Sequence, residues 1–442
     1  MTTESESTGT SHGSSTARVV GASLVGTTVE WYDFFLYGSA AALVFNRLFF
    51  PAGDPLMGTL LAFITYAVGF VARPLGGVVF GHYGDRIGRK KLLVVSLLMM
   101  GGATFAIGLL PTYQAVGVLA PLLLTALRLV QGFAIGGEWG AAVLMVSEHR
   151  SGGHRGFWAS WPQAGVPLGN LLGTAVLAVL AAVQSEEAFL AWGWRVAFLL
   201  SGVLVLVGLW VRLAVAESPL FVEATRQSRQ AGTEPRRPLV EVLRRYRGEV
   251  LTAMGARFAE NVVYYVLTSF VLTYVAVYLE LPRSVALNAS LIAATVHFIS
   301  IPLWGALSDR VGRRPVYLFG AIGTGIWAFP FFVLLDTRSF FEITAATTVG
   351  LVLHGAMYGP QAAYFAELFG TKVRYSGASI GYQLSSIVAG SLAPIIATAL
   401  LRGFGSATPI AIYVALCSVV TIWAVLRSPE TRHRDLAADH GV

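Results

Sequence analysis

The stretch Gly81-His82-Tyr83-Gly84-Asp85-Arg86-Ile87-Gly88-Arg89-Lys90 returns, altered, as Gly305-Ala306-Leu307-Ser308-Asp309-Arg310-Val311-Gly312-Arg313-Arg314. Each copy fills a short polar gap between two long apolar runs, and the second begins 224 positions after the first. A half-length repeat in so apolar a chain predicts two related bundles of membrane helices. Substrate sites between such bundles lie near the bilayer midplane.

Of the 442 residues, 55% are hydrophobic and only 12% charged. A soluble domain is nearer a quarter charged, so most of this surface cannot face water. The 48 glycines suit helices that approach closely in lipid. Cys417, the single cysteine, lies in an apolar run and excludes a disulfide framework or a thiolate metal cluster. Met1–Thr16 is rich in Ser, Thr, Gly and Glu without an apolar core, which reads as a disordered tail rather than a cleaved signal peptide.

A helix needs about 20 apolar residues to cross the hydrocarbon. Twelve segments qualify: 19–46, 56–83, 92–110, 115–147, 157–183, 194–213, 250–279, 286–306, 315–335, 341–366, 377–401 and 408–427. With the N-terminus inside, 23 Lys and Arg fall in inner segments and 5 in outer loops (Arg47, Arg195, Arg283, Arg338, Arg402). That bias places both termini in the cytoplasm and makes the net charge of +7 a topology signal rather than a nucleic-acid surface. The expected organisation is a tail (1–18), a six-helix bundle (19–216), a cytoplasmic linker (217–248), a second bundle (249–427) and a tail (428–442). The linker's end has the spacing of a basic amphipathic helix, although a solvated charge run explains it equally well. Glu148 precedes Arg155 by seven positions, as Glu367 precedes Arg374, which is a second echo of the repeat.

The paired Gly-x-x-x-Asp-Arg-x-Gly-Arg-Lys/Arg segments and Arg128-Leu129-Val130-Gln131-Gly132 resemble motifs of the major facilitator superfamily. Glu30-Trp31-Tyr32-Asp33-Phe34, Arg73-Pro74-Leu75-Gly76-Gly77 and Gly136-Gly137-Glu138-Trp139-Gly140 resemble its metabolite:proton symporter branch. So does the run from Tyr358 to Phe369, followed by Arg374-Tyr375-Ser376-Gly377 and Gly381-Tyr382-Gln383. Ala42-Leu43-Val44-Phe45-Asn46-Arg47 and Trp192-Gly193-Trp194-Arg195 are most similar to shikimate-transporter-like members. Other members of the branch are similar to carriers of 2-oxoglutarate, citrate, or proline and betaine. The resemblance implies an all-α fold of twelve transmembrane helices in two pseudo-symmetric six-helix bundles. It also implies proton symport of a small organic acid or zwitterion, favouring a shikimate-like carboxylate. A proton antiporter of the same fold and an osmolyte symporter are the alternatives.

Ionisable residues inside spans cost several kcal/mol unless paired or hydrated, so they mark function or tight ion pairs. Span one has Glu30 and Asp33, span two Arg73, span four Arg128 and Glu138, and span seven Arg257 and Glu260. A proton carrier needs a carboxylate whose affinity for protons swings as a guanidinium approaches and leaves. Asp33 and Arg128 are chosen because they resemble the first-helix Asp and fourth-helix Arg of the superfamily's sugar–proton symporters. Glu30, one turn earlier on a similar face, and Glu138 follow.

On span seven, Arg257, Glu260, Asn261 and Tyr264 offer a guanidinium with amide and phenol donors, suited to an anionic or zwitterionic metabolite with hydroxyls. The competing reading is that Arg257 simply pairs with Glu260. Tyr358, Gln361, Tyr382 and Gln383 are expected on the cavity's other wall, with Gln163 from span five. At the inner face, Asp85, Arg86, Arg89, Glu148 and Arg155 form one expected gate cluster. Asp309, Arg310, Arg313, Glu367 and Arg374 form its counterpart. Asp85 is expected to cap the N-terminus of span three or to pair with Arg across the loop, and Gly88 to provide a turn.

His297 and His354 fall inside spans, either as packing residues or as a proton relay. The histidines show no metal-ligand grouping, and there is no Walker loop or hydrolase nucleophile motif. An ATP-driven pump, an enzyme and a cofactor are therefore not expected. The expected partners are a small-molecule substrate, protons and the lipid bilayer, with no nucleic acid and the chain acting as a monomer.

Overall fold

The structure, a computed structural model, describes residues 16–51, 54–87, 89–136, 154–214, 246–369 and 381–434. For 16–19, 78, 81–87, 89–93 and 211–214 it describes the backbone alone. These residues form twelve long helices, and no strand occurs among them. The first half holds α1 (Thr16–Ala40, continued by a π-turn at Ala41–Phe45 and by Asn46–Leu48), α2 (Pro55–Ile87) and α3 (Arg89–Gly108). It continues with α4 (Leu119–Ile135), α5 (Arg155–Val183) and α6 (Glu186–Trp210). The second half holds α7 (Arg247–Tyr278), α8 (Arg283–Val311), α9 (Arg313–Asp336), α10 (Phe340–Leu368), α11 (Gly381–Phe404) and α12 (Thr408–Arg427).

Long apolar helices form here because hydrocarbon cannot satisfy a backbone N–H or C=O from outside. Their outward residues remain apolar: Trp210 is 72% exposed, Phe341 77% and Val333 67%. In water such a surface would be a cost; in lipid it is the solvent-facing side.

The two halves repeat their packing. In the first, α1 lies on α5, α2 on α4, and α3 on α4 and α6; in the second, α7 lies on α11, α8 on α10, and α9 on α10 and α12. Across the halves α5 meets α8 and α10, while α2 meets α11. This is the arrangement of two pseudo-symmetric six-helix bundles.

The repeat itself is mostly helical rather than a loop. On the first side α2 runs through Asp85 and Arg86 to Ile87, and on the second α8 runs to Val311. The break is confined to Gly312, whose φ of +116° is open to glycine and strained for any residue with a Cβ. Gly88 lies outside the described residues.

Glycine also sets how closely α2 and α4 lie. A Cβ on Gly132 would sit 1.9 Å from the carbonyl oxygen of Gly69, one on Gly76 1.8 Å from that of Phe133, and one on Gly136 2.0 Å from that of Arg73. Gly77 also meets α4, at the Gly136 carbonyl. This contact is what brings Arg73 and Arg128 into one layer. Gly132→Ala should therefore force the pair apart at a cost of about 1–3 kcal/mol. In thermal unfolding of the purified protein it should melt well below Gly102→Ala, where an added Cβ meets nothing within 4 Å. Equal melting of the two variants would refute this account of the contact.

Candidate functional site

Three guanidiniums are buried between the halves. Arg128 is 0% exposed, Arg73 2% and Arg257 3%. The cost of holding them there is met in part by aromatic faces. Arg128 lies 4.5–4.6 Å from the ring centroids of Phe34, Tyr37 and Tyr66. Arg73 lies 4.6 Å from Phe34 and 4.3 Å from Phe70. Arg257 stacks on Tyr382 at 3.2 Å. Aromatic rings also carry the core across the halves, where Phe35 meets Tyr264 at 5.5 Å and Phe70 meets Tyr265 at 5.6 Å.

Asp33 is 2% exposed, and its Oδ1 has no hydrogen-bond partner. No ion pair joins it to Arg128 in this conformation. Arg128 donates instead to the Gln131 side chain (3.0 Å) and the Tyr66 carbonyl (3.4 Å), and Gln131 in turn donates to Thr104 (2.7 Å). Gln131 sits one turn along α4 and takes the place a carboxylate would fill. Glu30 is half-buried on α1, and Glu138 lies outside the described residues.

On α7, Arg257 Nε approaches Glu260 Oε2 at 3.2 Å without hydrogen-bond alignment, and Arg257 Nη2 donates to Asn261 at 3.0 Å. Asn261 donates to Ser385 of α11 (3.3 Å). Gln361 of α10 donates to Glu260 (3.2 Å) and to the Tyr317 hydroxyl (3.0 Å), and accepts from Gln163 of α5 (3.4 Å). The last contact joins the two halves. Tyr264 lies against the rings of His354 (4.9 Å) and Tyr358 (6.5 Å). Eight of the nine candidate substrate residues thus form one cluster. The ninth, Gln383, is half-buried with an unpartnered Oε1.

Several donors in this layer have no partner: Arg73 Nε and Nη2, Arg128 Nη2, Arg257 Nη1, and the hydroxyls of Tyr66 and Tyr264. A buried donor left unpaired costs about 1–3 kcal/mol, so a row of them describes a mould for an acceptor-rich ligand. The sequence marks Arg73 without giving it a site role and offers the two histidines either packing or a proton relay; Tyr66, Tyr317 and Ser385 it does not single out. Arg73 was recoverable, since an arginine in mid-span carries its own cost. The tyrosines were not, because an aromatic in a span is ordinary until its neighbours are known.

Both ends are bridged. At the basic end, Arg155 of α5 pairs with Glu367 of α10 (3.0 Å), and Arg313 reaches Glu367 (3.2 Å) and Asp309 (2.8 Å). Asp309 also accepts from the backbone N–H of Gly156 (2.7 Å) and Phe157 (2.9 Å), capping α5 of the other half. For its counterpart Asp85 the sequence offers two roles, capping the next helix or pairing with Arg across the loop; Asp309 takes the second, with Arg313, and does not cap the N-terminus of α9. Glu430, just past α12, does that instead by accepting from the N–H of Arg313 and Arg314. Arg310 stays exposed, and only its carbonyl is engaged, by Arg432. The side chains of Asp85, Arg86 and Arg89 are not described, and Glu148 and Arg374 lie outside the described residues. At the opposite end, Arg402 meets Asp54 (2.5 Å) and Arg283 meets Glu186 (3.3 Å), each across the halves. Ion pairs thus link the two halves at both ends.

A sealed, arginine-lined centre between two pseudo-symmetric helix bundles defines a membrane transporter of the alternating-access kind. The sequence profile of the "Sugar (and other) transporter" family matches residues 19–237 and 222–439. The chain belongs to that family and so to the major facilitator superfamily, and it is a transporter rather than an enzyme. It is 43% identical to the shikimate transporter of Escherichia coli (strain K12), covering 93% of this chain and 94% of that one. It is 39% identical to the inner membrane metabolite transport protein YhjE of the same organism (95% of each). It is 33% identical to the same organism's proline/betaine transporter (95% and 84%). Among solved structures, the partially occluded, inward-open xylose transporter XylE from E. coli superposes with a TM-score of 0.72 at 18% identity, covering 95% of this chain and 99% of that one.

Proposed function

We propose that this chain imports a small organic acid, with a hydroxylated carboxylate of the shikimate type favoured, by proton symport across the inner membrane. Both termini lie in the cytoplasm, and the working unit is the monomer in the bilayer. One observation carries the reading. Among the fully buried described groups between the two end clusters, the three guanidiniums Arg73, Arg128 and Arg257 face two carboxylates, Asp33 and Glu260, and each guanidinium keeps an unpaired N–H. An anion completes the charge and the hydrogen bonds together. Asp33 is the proton carrier, with Glu30 and Glu138 as the further acids of this half. Arg257, Asn261, Tyr264, Gln163, Tyr358, Gln361, Tyr382 and Gln383 shape the cargo site, and Glu260 holds Arg257 until cargo arrives. The identity with the shikimate transporter supports the cargo class. A quaternary ammonium such as betaine fits less well, because the aromatic faces that would hold it already carry Arg73 and Arg128.

Alternating access follows from the end clusters. The basic-end network of Arg155, Asp309, Arg313 and Glu367 opens to release cargo inward, and Asp85, Arg86, Arg89, Glu148, Arg310 and Arg374 belong to the same face. The experiment is uptake of radiolabelled shikimate into proteoliposomes under an imposed pH gradient. Accumulation on the alkaline side supports symport, accumulation on the acidic side would make the chain an antiporter, and no response to the gradient would sink both readings.

Glu430 gives this gate a pH dependence of known sign. Burial works against its charge, but the N–H groups of Arg313, Arg314, Arg432 and Thr431 outweigh that and hold the carboxyl below the usual range. Its stabilising effect is complete above the unfolded value of about 4.3 and fades as pH falls through the lowered folded value. Glu430→Gln should therefore loosen the basic end at neutral pH, read as faster labelling of a cysteine placed at Ser160 in a Cys417→Ser background. The difference from the parent should shrink in acid. Labelling rates that match the parent at neutral pH would remove Glu430 from the gate.

A further inference from the structure

His354 of α10 and His297 of α8 are in direct contact, with His354 Nδ1 3.0 Å from His297 Nε2. On its other side, His354 Nε2 lies 3.4 Å from Glu260 Oε1. Both rings are sealed, at 1% and 0% exposure. The groups facing them are Glu260, Arg257 and Tyr264 from α7, Tyr358 from α10 and Tyr317 from α9. The helix α5, which packs on both α8 and α10, carries no charged side chain beyond Arg155.

Donor bookkeeping fixes the direction of this chain. The Glu260 carboxylate, paired with Arg257, can only accept, so His354 Nε2 carries a hydrogen. A neutral His354 then presents a bare Nδ1, and the hydrogen between the rings must belong to His297 Nε2. That leaves a lone pair on His297 Nδ1, and this buried atom has no hydrogen-bond partner. A packing histidine would be expected to close its second nitrogen on a backbone or side-chain group. This one ends in an open base.

We propose that His297 and His354 form a proton relay that loads Glu260 and thereby frees Arg257 for the cargo carboxylate. This rests on the proton-symport reading above. A proton arrives at His297 Nδ1, the Nε2 proton crosses to His354 Nδ1, and the Nε2 proton of His354 passes to Glu260 Oε1. Each ring ends neutral with its tautomer inverted, and the single added proton resides on Glu260. Neutral Glu260 no longer holds Arg257 by charge, and the guanidinium turns to the incoming anion. Release of cargo lets Arg257 return, and the chain runs backwards to discharge the proton.

The first test needs no variant transport activity. In the full chain, labelled with 15N-histidine and held in nanodiscs, both rings should be Nε2–H tautomers at alkaline pH. Both should invert to Nδ1–H as pH falls from alkaline to about 4, because the added proton ends on the Glu260 carboxyl and not on either ring. The inversion should vanish in Glu260→Gln, with resonances assigned by loss in His297→Gln and His354→Gln. Tautomers that stay fixed across that range in the parent protein would overturn the relay. The second test is proteoliposome uptake with shikimate as probe. His297→Gln and His354→Gln should each lower gradient-driven accumulation at least tenfold and flatten the pH profile of exchange. If the parent responds to the gradient and both variants share its pH profile, the relay is wrong while symport stands. If the parent itself ignores the gradient, the symport reading fails, and the tautomer measurement still decides whether the relay exists.

Discussion

Asp33→Asn abolishes uphill accumulation while exchange of labelled for unlabelled cargo falls far less. One proton carried per cargo is worth about 1.4 kcal/mol, or tenfold, per unit of pH gradient. An inward gradient of two units should therefore hold cargo about hundredfold higher inside the parent vesicles and about equal in the variant. The physical ground is that, among the described residues, no guanidinium pairs with this acid in this conformation. It is 2% exposed, its Oδ1 has no partner, and Arg128 is engaged by Gln131 and Tyr66 rather than by it. A buried carboxylate in that setting is neutralised either by a proton or by Arg128 swinging over, and alternation between the two is what coupling requires. Asparagine keeps the shape and removes the alternation. Concentrative uptake by Asp33→Asn at the parent level would move the coupling role to another acid.

The second large effect is at Arg257. Arg257→Gln removes the guanidinium that Glu260, Asn261 and Tyr382 hold, and with it the charge-assisted contact proposed for the cargo. Such a contact is worth about 2–3 kcal/mol, so shikimate affinity should fall about thirty- to 150-fold. Because the substitution also strands Glu260 in a buried site, the variant should be less stable than the parent without ligand. Adding Glu260→Gln should restore much of that stability and none of the affinity. That split separates a binding residue from a packing ion pair, which is the competing account of Arg257. Affinity within threefold of the parent would favour the ion pair.

Much of this was open to reading before any coordinates. Twelve apolar runs, their six-plus-six division and the repeated basic segments define the architecture, since in lipid few other folds can satisfy the backbone. The span-seven set Arg257, Glu260, Asn261 and Tyr264 was legible because helix periodicity places residues three and four apart on one face. What was not legible was how partners are shared. Nothing along the chain says that Arg128 turns to Gln131 instead of Asp33, or that Asp309 caps α5 of the opposite bundle while Glu430 caps α9. Nor does the 57-residue separation of His297 and His354 announce that their nitrogens touch.

The sequence by itself determined that this chain spans a membrane as a duplicated bundle and buries charges at a cost that demands a use. Hydrophobicity, helix period and charge bias act locally or add up along the chain, so they can be read from it. The tertiary structure alone decided which charge meets which, because a hydrogen bond depends on a few tenths of an ångström between helices. At the α2–α4 contact those distances are set by glycine-to-backbone contact, which fixes how Arg73 and Arg128 stand to each other.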